Sequence, residues 1–103
     1  GWIQAGEWVE YTVNVSGAGT YAITIPVCHP SAGGTMHINF NGVNKTGTLT
    51  VPNTGSWSVN QNMTVSASLS AGTQVMQVMF DTNGSTGYVC GLANIVFTPT
   101  GSG

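Results

Sequence analysis

Glu7-Trp8-Val9-Glu10-Tyr11-Thr12-Val13-Asn14-Val15 alternates from end to end. Val9, Tyr11, Val13 and Val15 share one side, and Trp8, Glu10, Thr12 and Asn14 share the other. Successive side chains of a strand point to opposite faces, so this stretch is predicted to be a strand with one face on a core. Trp8 falls on the polar side, where core filling does not explain it. The residues just upstream, Gly1-Trp2-Ile3-Gln4-Ala5-Gly6, bring a second tryptophan close to the first.

The period of two continues downstream. Ser16-Gly17-Ala18-Gly19 reads as a turn. Residues 20–28 form a second predicted strand with Tyr21, Ile23, Ile25 and Val27 in phase. Pro26 lies inside it and has no N–H to donate, which predicts an edge position or a bulge. Residues 29–34 are a Pro/Gly loop, and residues 35–40 a strand with Met36, Ile38 and Phe40 inward. Asn41-Gly42 then marks a tight hairpin. A short strand over 46–51 and a loop over 52–56 lead to Trp57, the third tryptophan. Residues 62–69 alternate again, and Ser70-Ala71-Gly72 turns the chain. The nearly continuous apolar run over 74–80 predicts a central strand. A polar loop from Asp81 to Gly87 precedes a last strand over 88–97. Seven to eight short strands without helical spacing predict an all-β fold, an antiparallel β-sandwich of the jelly-roll kind. Residues 1–98 are read as one module and residues 99–103 as a tail or linker.

Composition narrows the function. Only Glu7, Glu10, Asp81 and Lys45 carry a formal charge, and the net charge is −2. A nucleic-acid surface needs a basic stripe, and binding to an anionic membrane needs clustered Lys and Arg; neither is present. A surface rich in Ser, Thr, Asn and Gly suits a neutral, hydroxyl-rich partner, although secreted β domains often share this composition. The chain is expected to be secreted and monomeric. Without a leader segment it reads as a mature piece or an excised module.

Catalytic chemistry has little to draw on. Glycoside hydrolysis needs two carboxylates flanking one bond, and Glu7 and Glu10 have opposite parity on a strand. His29 and His37 stand in no nucleophile motif and are read as ordinary surface or strand residues. Asp81 is expected to cap a turn. Cys28 and Cys90 show no metal-ligand spacing. Two readings stand for them. One is a disulfide closing a long loop, worth roughly 4 kcal/mol in the chain-entropy model. The other is a pair of buried free thiols.

The aromatics remain. Indole rings can stack on the C–H patches of a sugar while nearby amides and hydroxyls bond its hydroxyls, and such a site needs few charges. Taken singly, Trp2 can equally be a terminal residue folded onto the core, and Trp57 a lid over one end of the sandwich.

Trp2-Ile3 followed by Gly6-Glu7-Trp8-Val9-Glu10-Tyr11 resembles the Gly-aromatic-Ile and Gly-Asp-Trp-Val-Glu-Tyr signature of family 6 carbohydrate-binding modules. Ala18-Gly19-Thr20-Tyr21, Thr54-Gly55-Ser56-Trp57 and Leu69 with Ala71-Gly72-Thr73 match further motifs of that family in order. The resemblance implies a non-catalytic module that binds a neutral polysaccharide of the xylan, β-glucan or agarose type and targets an attached glycoside hydrolase. It places Trp2 and Trp57 in a main cleft among the loops at one end. Their replacement by alanine is then expected to cost binding with little loss of stability. A possible second cleft on a sheet face would use Trp8 and Glu10. The family usually begins with a further strand and loop that supply a site-lining acid and ligands for a structural calcium, and those residues do not match anything here. Gly91 aligns where an asparagine usually bonds the sugar, Ala93 where a late calcium ligand is common, and a shift of register brings in Asn94 instead. Asn60, Asn83, Ser85 and Asn94 are therefore the polar candidates for the cleft. No cofactor is firmly implied. The alternative is a structural linker or adhesion sandwich whose aromatics fill the ends of the core.

Overall fold

The alternation seen in the chain becomes two antiparallel sheets. The computed structural model describes residues 2–100, with side chains described from Ile3 onward. Strands β1 (Trp2–Ile3), β2 (Trp8–Val15), β3 (Gly19–Cys28), β4 (Thr35–Phe40), β5 (Val43–Asn44), β6 (Leu49–Thr50), β7 (Gln61–Leu69), β8 (Gly72–Thr82), β9 (Cys90–Leu92) and β10 (Val96–Pro99) are the elements, and no helix occurs among the described residues. In the first sheet β3 lies between β7 on one side and β9 and β10 on the other, with β1 beyond β9. In the second, β8 lies between β2 and β4, and β5 and β6 border β4. The chain passes from sheet to sheet at nearly every long connection, as a jelly roll does. That winding brings connections 4–7, 29–34, 51–60 and 83–89 to one end. They are tied there by Ala5 N–H to Asn83 Oδ1 (2.7 Å), Thr54 N–H to His29 O (2.8 Å) and Ser85 N–H to Ala32 O (2.9 Å).

The in-phase apolar residues meet between the sheets. Ile23, Ile25 and Val27 of β3 share one buried cluster with Met36, Ile38 and Phe40 of β4 and with Met76, Val78 and Phe80 of β8. The run over 74–80 is central, as its continuity predicts, but Val75 and Met79 point to the outer face of the second sheet rather than into a second core. Asn41 and Gly42 take φ of 49° and 81°, so they form the left-handed two-residue turn that joins β4 to β5.

Several expectations change. Pro26 sits on a central strand, not an edge, and it makes the bulge. Its carbonyl accepts Ala93 N–H at 3.0 Å, but it has no N–H to return. The ladder therefore breaks between Thr24↔Val96 and Val27↔Leu92, which splits the single last strand expected over 88–97 into β9 and β10. Tyr88 lies outside both, in the preceding loop. The strand expected over 46–51 contracts to β6, because Asn44 and Thr46 bend the backbone with local bonds to residues 46 and 47. β10 runs to Pro99, and Thr100 N–H bonds Thr20 O at 3.1 Å. Tyr11 is in phase with the core yet 51 % exposed. An open groove of about 460 Å³ runs between the sheets there, lined by Tyr11, Val13, Met76, Leu92, Asn94 and Phe97.

Cys28 and Cys90 are close, as expected, but they are buried free thiols and not a bridge. Cys28 pairs with Gly91, so its neighbour-by-one Cys90 faces the other side of the sheet. Cys90 points into the core, while the Cys28 sulfur fills the space that a side chain on Gly91 would occupy. A disulfide needs side chains that converge. Thiol labelling of the unfolded, unreduced protein is expected to find two free thiols. Burial, and secondarily the nearby Cys28, pushes the Cys90 thiol from 9.0 up to about 12. The folded state thus holds this proton more tightly than the unfolded chain. Its contribution is complete below about pH 9 and is lost as pH rises towards about 12. The melting temperature should fall more steeply over that window in the native chain than in Cys90→Ala; equal slopes would refute this.

Candidate functional site

The connection over 51–60 is held by its own side chains. Asn53 Oδ1 accepts Gly55 N–H (2.8 Å), Gly55 takes φ of 84°, and Ser56 Oγ accepts Ser58 N–H (3.1 Å). Thr54 stitches this loop to residue 29: its hydroxyl oxygen accepts His29 N–H (3.1 Å) and its own N–H donates to His29 O (2.8 Å). Trp57 emerges from this stretch half-buried. Its ring centroid lies 5.1 Å from the His29 imidazole, tilted by 59°, and 6.2 Å from the Tyr88 ring at 80°, edge to face. The indole also passes 3.9 Å from where a Gly91 Cβ would stand.

Trp2 is not a loop residue. Its backbone forms β1 and pairs with Gly91, so Trp2, Gly91 and Cys28 occupy one row across β1, β9 and β3. The Trp2 ring lies outside the described residues. The backbone thus sets position 2 across from the glycine over which Trp57 packs.

The polar candidates divide. Asn83 stands in the loop that carries Tyr88, but its Oδ1 is committed to Ala5 N–H. Ser85 is in the same loop, with its hydroxyl paired to Ser31 Oγ. Asn60 is exposed at the end of the Trp57 connection. Asn94 is separate: it follows the bulge and lines the groove with Tyr11. At Gly91, where the family's sugar-bonding asparagine aligns, a Cβ would stand 2.5 Å from the Cys28 sulfur, so that place is filled by packing.

At this end Tyr88 was not singled out from the sequence, and His29 was read as an ordinary surface or strand residue. Tyr88 closes a Gly-rich polar loop just as Trp57 does, and that shared pattern was a usable signal. His29 is fully buried, not a surface residue. Only the convergence of three loops buries it, and nothing in its flanking sequence carries that information.

The outer face of the second sheet holds a different constellation. Trp8 is 58 % exposed and shares a cross-strand row with Met79 and His37. The next row is Glu10, Gln77 and Asn39, with Gln77 Nε2 donating to Glu10 Oε1 at 3.0 Å. Asp81 is not a turn cap. It extends β8 and pairs with His37 Nδ1 at 2.7 Å.

A family model for the carbohydrate-binding module, family 6, matches residues 1–99. The chain belongs to family 6 of the carbohydrate-binding modules. Modules of this family are non-catalytic. The C-terminal family 6 module of LamC, a laminarinase from Zobellia galactanivorans, superposes with a TM-score of 0.81 at 28 % identity, covering 95 % of this chain and 77 % of that one. The module of Cellvibrio mixtus lichenase 5A, solved with cellotriose, superposes with a TM-score of 0.79 at 27 % identity, covering 97 % and 76 %. Beta-agarase AgaA of Microbulbifer thermotolerans is 35 % identical over 66 residues, a match that spans 63 % of this module and 15 % of the agarase. Glu7 Oε1 accepts Gln4 N–H, Glu10 Oε1 accepts from Gln77 and Asp81 pairs with His37, and no three His, Cys, Asp or Glu side chains converge among the described residues.

Proposed function

We propose that this module binds a neutral polysaccharide of the β-glucan, agarose or xylan type at the loop end, with Trp57 and Tyr88 and the ring of Trp2 as its platform. The observation that carries this reading is the half-buried Trp57 braced edge-on by Tyr88. Connections 29–34, 51–60 and 83–89 contain no Asp, Glu, Lys or Arg, which favours an uncharged ligand. The lichenase module's cellotriose and the laminarinase and agarase relatives support glucans and agarose as the first ligands to try. The module would be secreted and would hold an attached glycoside hydrolase on its substrate. Affinity electrophoresis through laminarin, barley β-glucan, hydroxyethylcellulose, agarose and xylan tests this. Retardation by at least one gel is expected. Free migration in all five would favour a structural linker.

The exposed Trp8 supports a second surface on the sheet face. Its row with Met79, flanked by the Glu10–Gln77 pair, offers a ring beside hydrogen-bonding groups. Trp8→Ala should weaken retention by long polysaccharide chains while leaving the affinity for short oligosaccharides unchanged. Unaltered retention on long chains would restrict binding to the loop end.

A further inference from the structure

We infer that His29 is a positioning residue for the sugar platform, locking the loops that carry Trp57 and Tyr88 into one surface. The inference rests on the proposed loop-end site and concerns what sets its affinity.

His29 is 0 % exposed, and no polar side-chain atom is both buried and unsatisfied among the described residues. Each part of the residue engages a different loop. Nδ1 lies 2.9 Å from Ser31 O and 3.2 Å from Ser31 N. Nε2 lies 2.9 Å from Thr86 Oγ1 and 3.2 Å from Tyr88 O. The backbone N–H and C=O both engage Thr54, three residues before Trp57, and the ring lies against the Trp57 indole. One side chain thus joins connection 29–34 to connection 83–89, and its backbone joins both to connection 51–60.

Packing alone does not require a histidine at this end; Val51 and Val89, in the connections His29 joins, are buried and fill space with methyl groups. What the imidazole adds is direction. A neutral ring has one donor and one acceptor, and the loops match them in either tautomer. With Nε2–H donating to Tyr88 O, Nδ1 accepts Ser31 N–H. With Nδ1–H donating to Ser31 O, Nε2 accepts the Thr86 hydroxyl. The first arrangement holds the Tyr88 backbone directly, and the second holds its loop through Thr86, two residues away. A ring held in its binding orientation loses less freedom when sugar stacks on it, so loosening the brace weakens binding without removing any sugar contact.

The test uses the module with 5-fluorotryptophan incorporated, Trp57→Ala assigning the fluorine resonance of Trp57. Oligosaccharide affinity and that resonance are measured for His29→Ala, His29→Gln, His29→Asn and Thr86→Val. Gln places an amide where Nε2 sits, whereas Asn reaches only as far as Nδ1. His29→Ala and His29→Asn should weaken binding about tenfold and broaden the Trp57 resonance, as expected of a ring that has lost its supporting shell. His29→Gln should recover affinity to within about threefold and restore a sharp line. Thr86→Val, at an exposed position, should broaden the resonance with the fold unchanged. If His29→Ala does not fold, the Gln and Asn variants and Thr86→Val decide. Equal affinities and unchanged resonances across the set would overturn the inference while Trp57→Ala still abolishes binding. If Trp57→Ala itself binds normally, the loop-end site is wrong and the role of His29 falls with it.

Discussion

Trp57→Ala is expected to weaken binding to the polysaccharide that retards the native module, and to cost the fold a measurable but smaller amount. Stacking on an aromatic ring is worth about 1–3 kcal/mol by analogy with bases on aromatic side chains. Affinity should therefore fall by roughly fivefold to more than a hundredfold. Rings facing solvent would leave the melting temperature unmoved, which is what the sequence suggests. The structure corrects that expectation. Trp57 is half-buried against His29 and over Gly91, so its removal uncovers apolar surface. Losing part of a large apolar side chain costs about 1–2 kcal/mol. For a domain of this length that lowers the melting temperature by roughly 5–15 °C. Trp57→Phe separates the two effects, because it keeps most of the packing and shrinks the platform. Calorimetric titration at a temperature where both variants are folded gives the comparison. Native-like affinity in folded Trp57→Ala would remove the loop-end site and leave the Trp8 face as the candidate.

Gly34→Ala should be the most destabilising single methyl that can be added to this end of the module. A Cβ there would stand 1.8 Å from Thr82 O and 2.9 Å from its carbonyl carbon, both backbone atoms of β8. Neither atom can rotate away as a side chain would. Gly34 N–H donates to Val89 O at 3.1 Å and Gly34 O accepts Val51 N–H at 2.9 Å, so the displaced backbone is the one that connects three loops. Overpacking of this kind typically costs about 1–3 kcal/mol and more where the backbone must move. The expected fall in melting temperature is about 10–20 °C. Sugar affinity should fall with it, because the loops that move carry Trp57 and Tyr88. Gly17→Ala is the control: nothing lies within 4 Å of its Cβ position. An unchanged melting temperature in Gly34→Ala would mean that the loop end can rearrange freely and that the rigid platform described above is mistaken.

How much of this was legible beforehand follows the range of the interactions involved. The phase of β2 was readable because parity along a strand is local: Val9 and Val13 went inward and Trp8 outward as the alternation requires. Asn41-Gly42 was readable because two left-handed residues in succession admit few other conformations. Pro26 was half-readable. Its missing N–H demands a break in one ladder, but whether that break falls on an edge or opposite a bulge depends on which strand arrives beside it. The cysteines show the same division. Their proximity followed from the strand order, while their failure to point at each other came from a register one residue off the facing pair.

Residue types, their alternation and the turn signals by themselves determined an all-β antiparallel sandwich with few charges, and the motifs around Trp2, Trp8 and Trp57 carried the resemblance to family 6. The tertiary structure alone decided what those loops build. Tyr88 reaches Trp57 and His29 sinks beneath both because connections 29–34, 51–60 and 83–89, distant in sequence, are wound to one end of the two sheets. Side-chain parity is set within a single strand, whereas burial of a loop residue is set by whichever other loops lie over it. No local pattern encodes that second quantity.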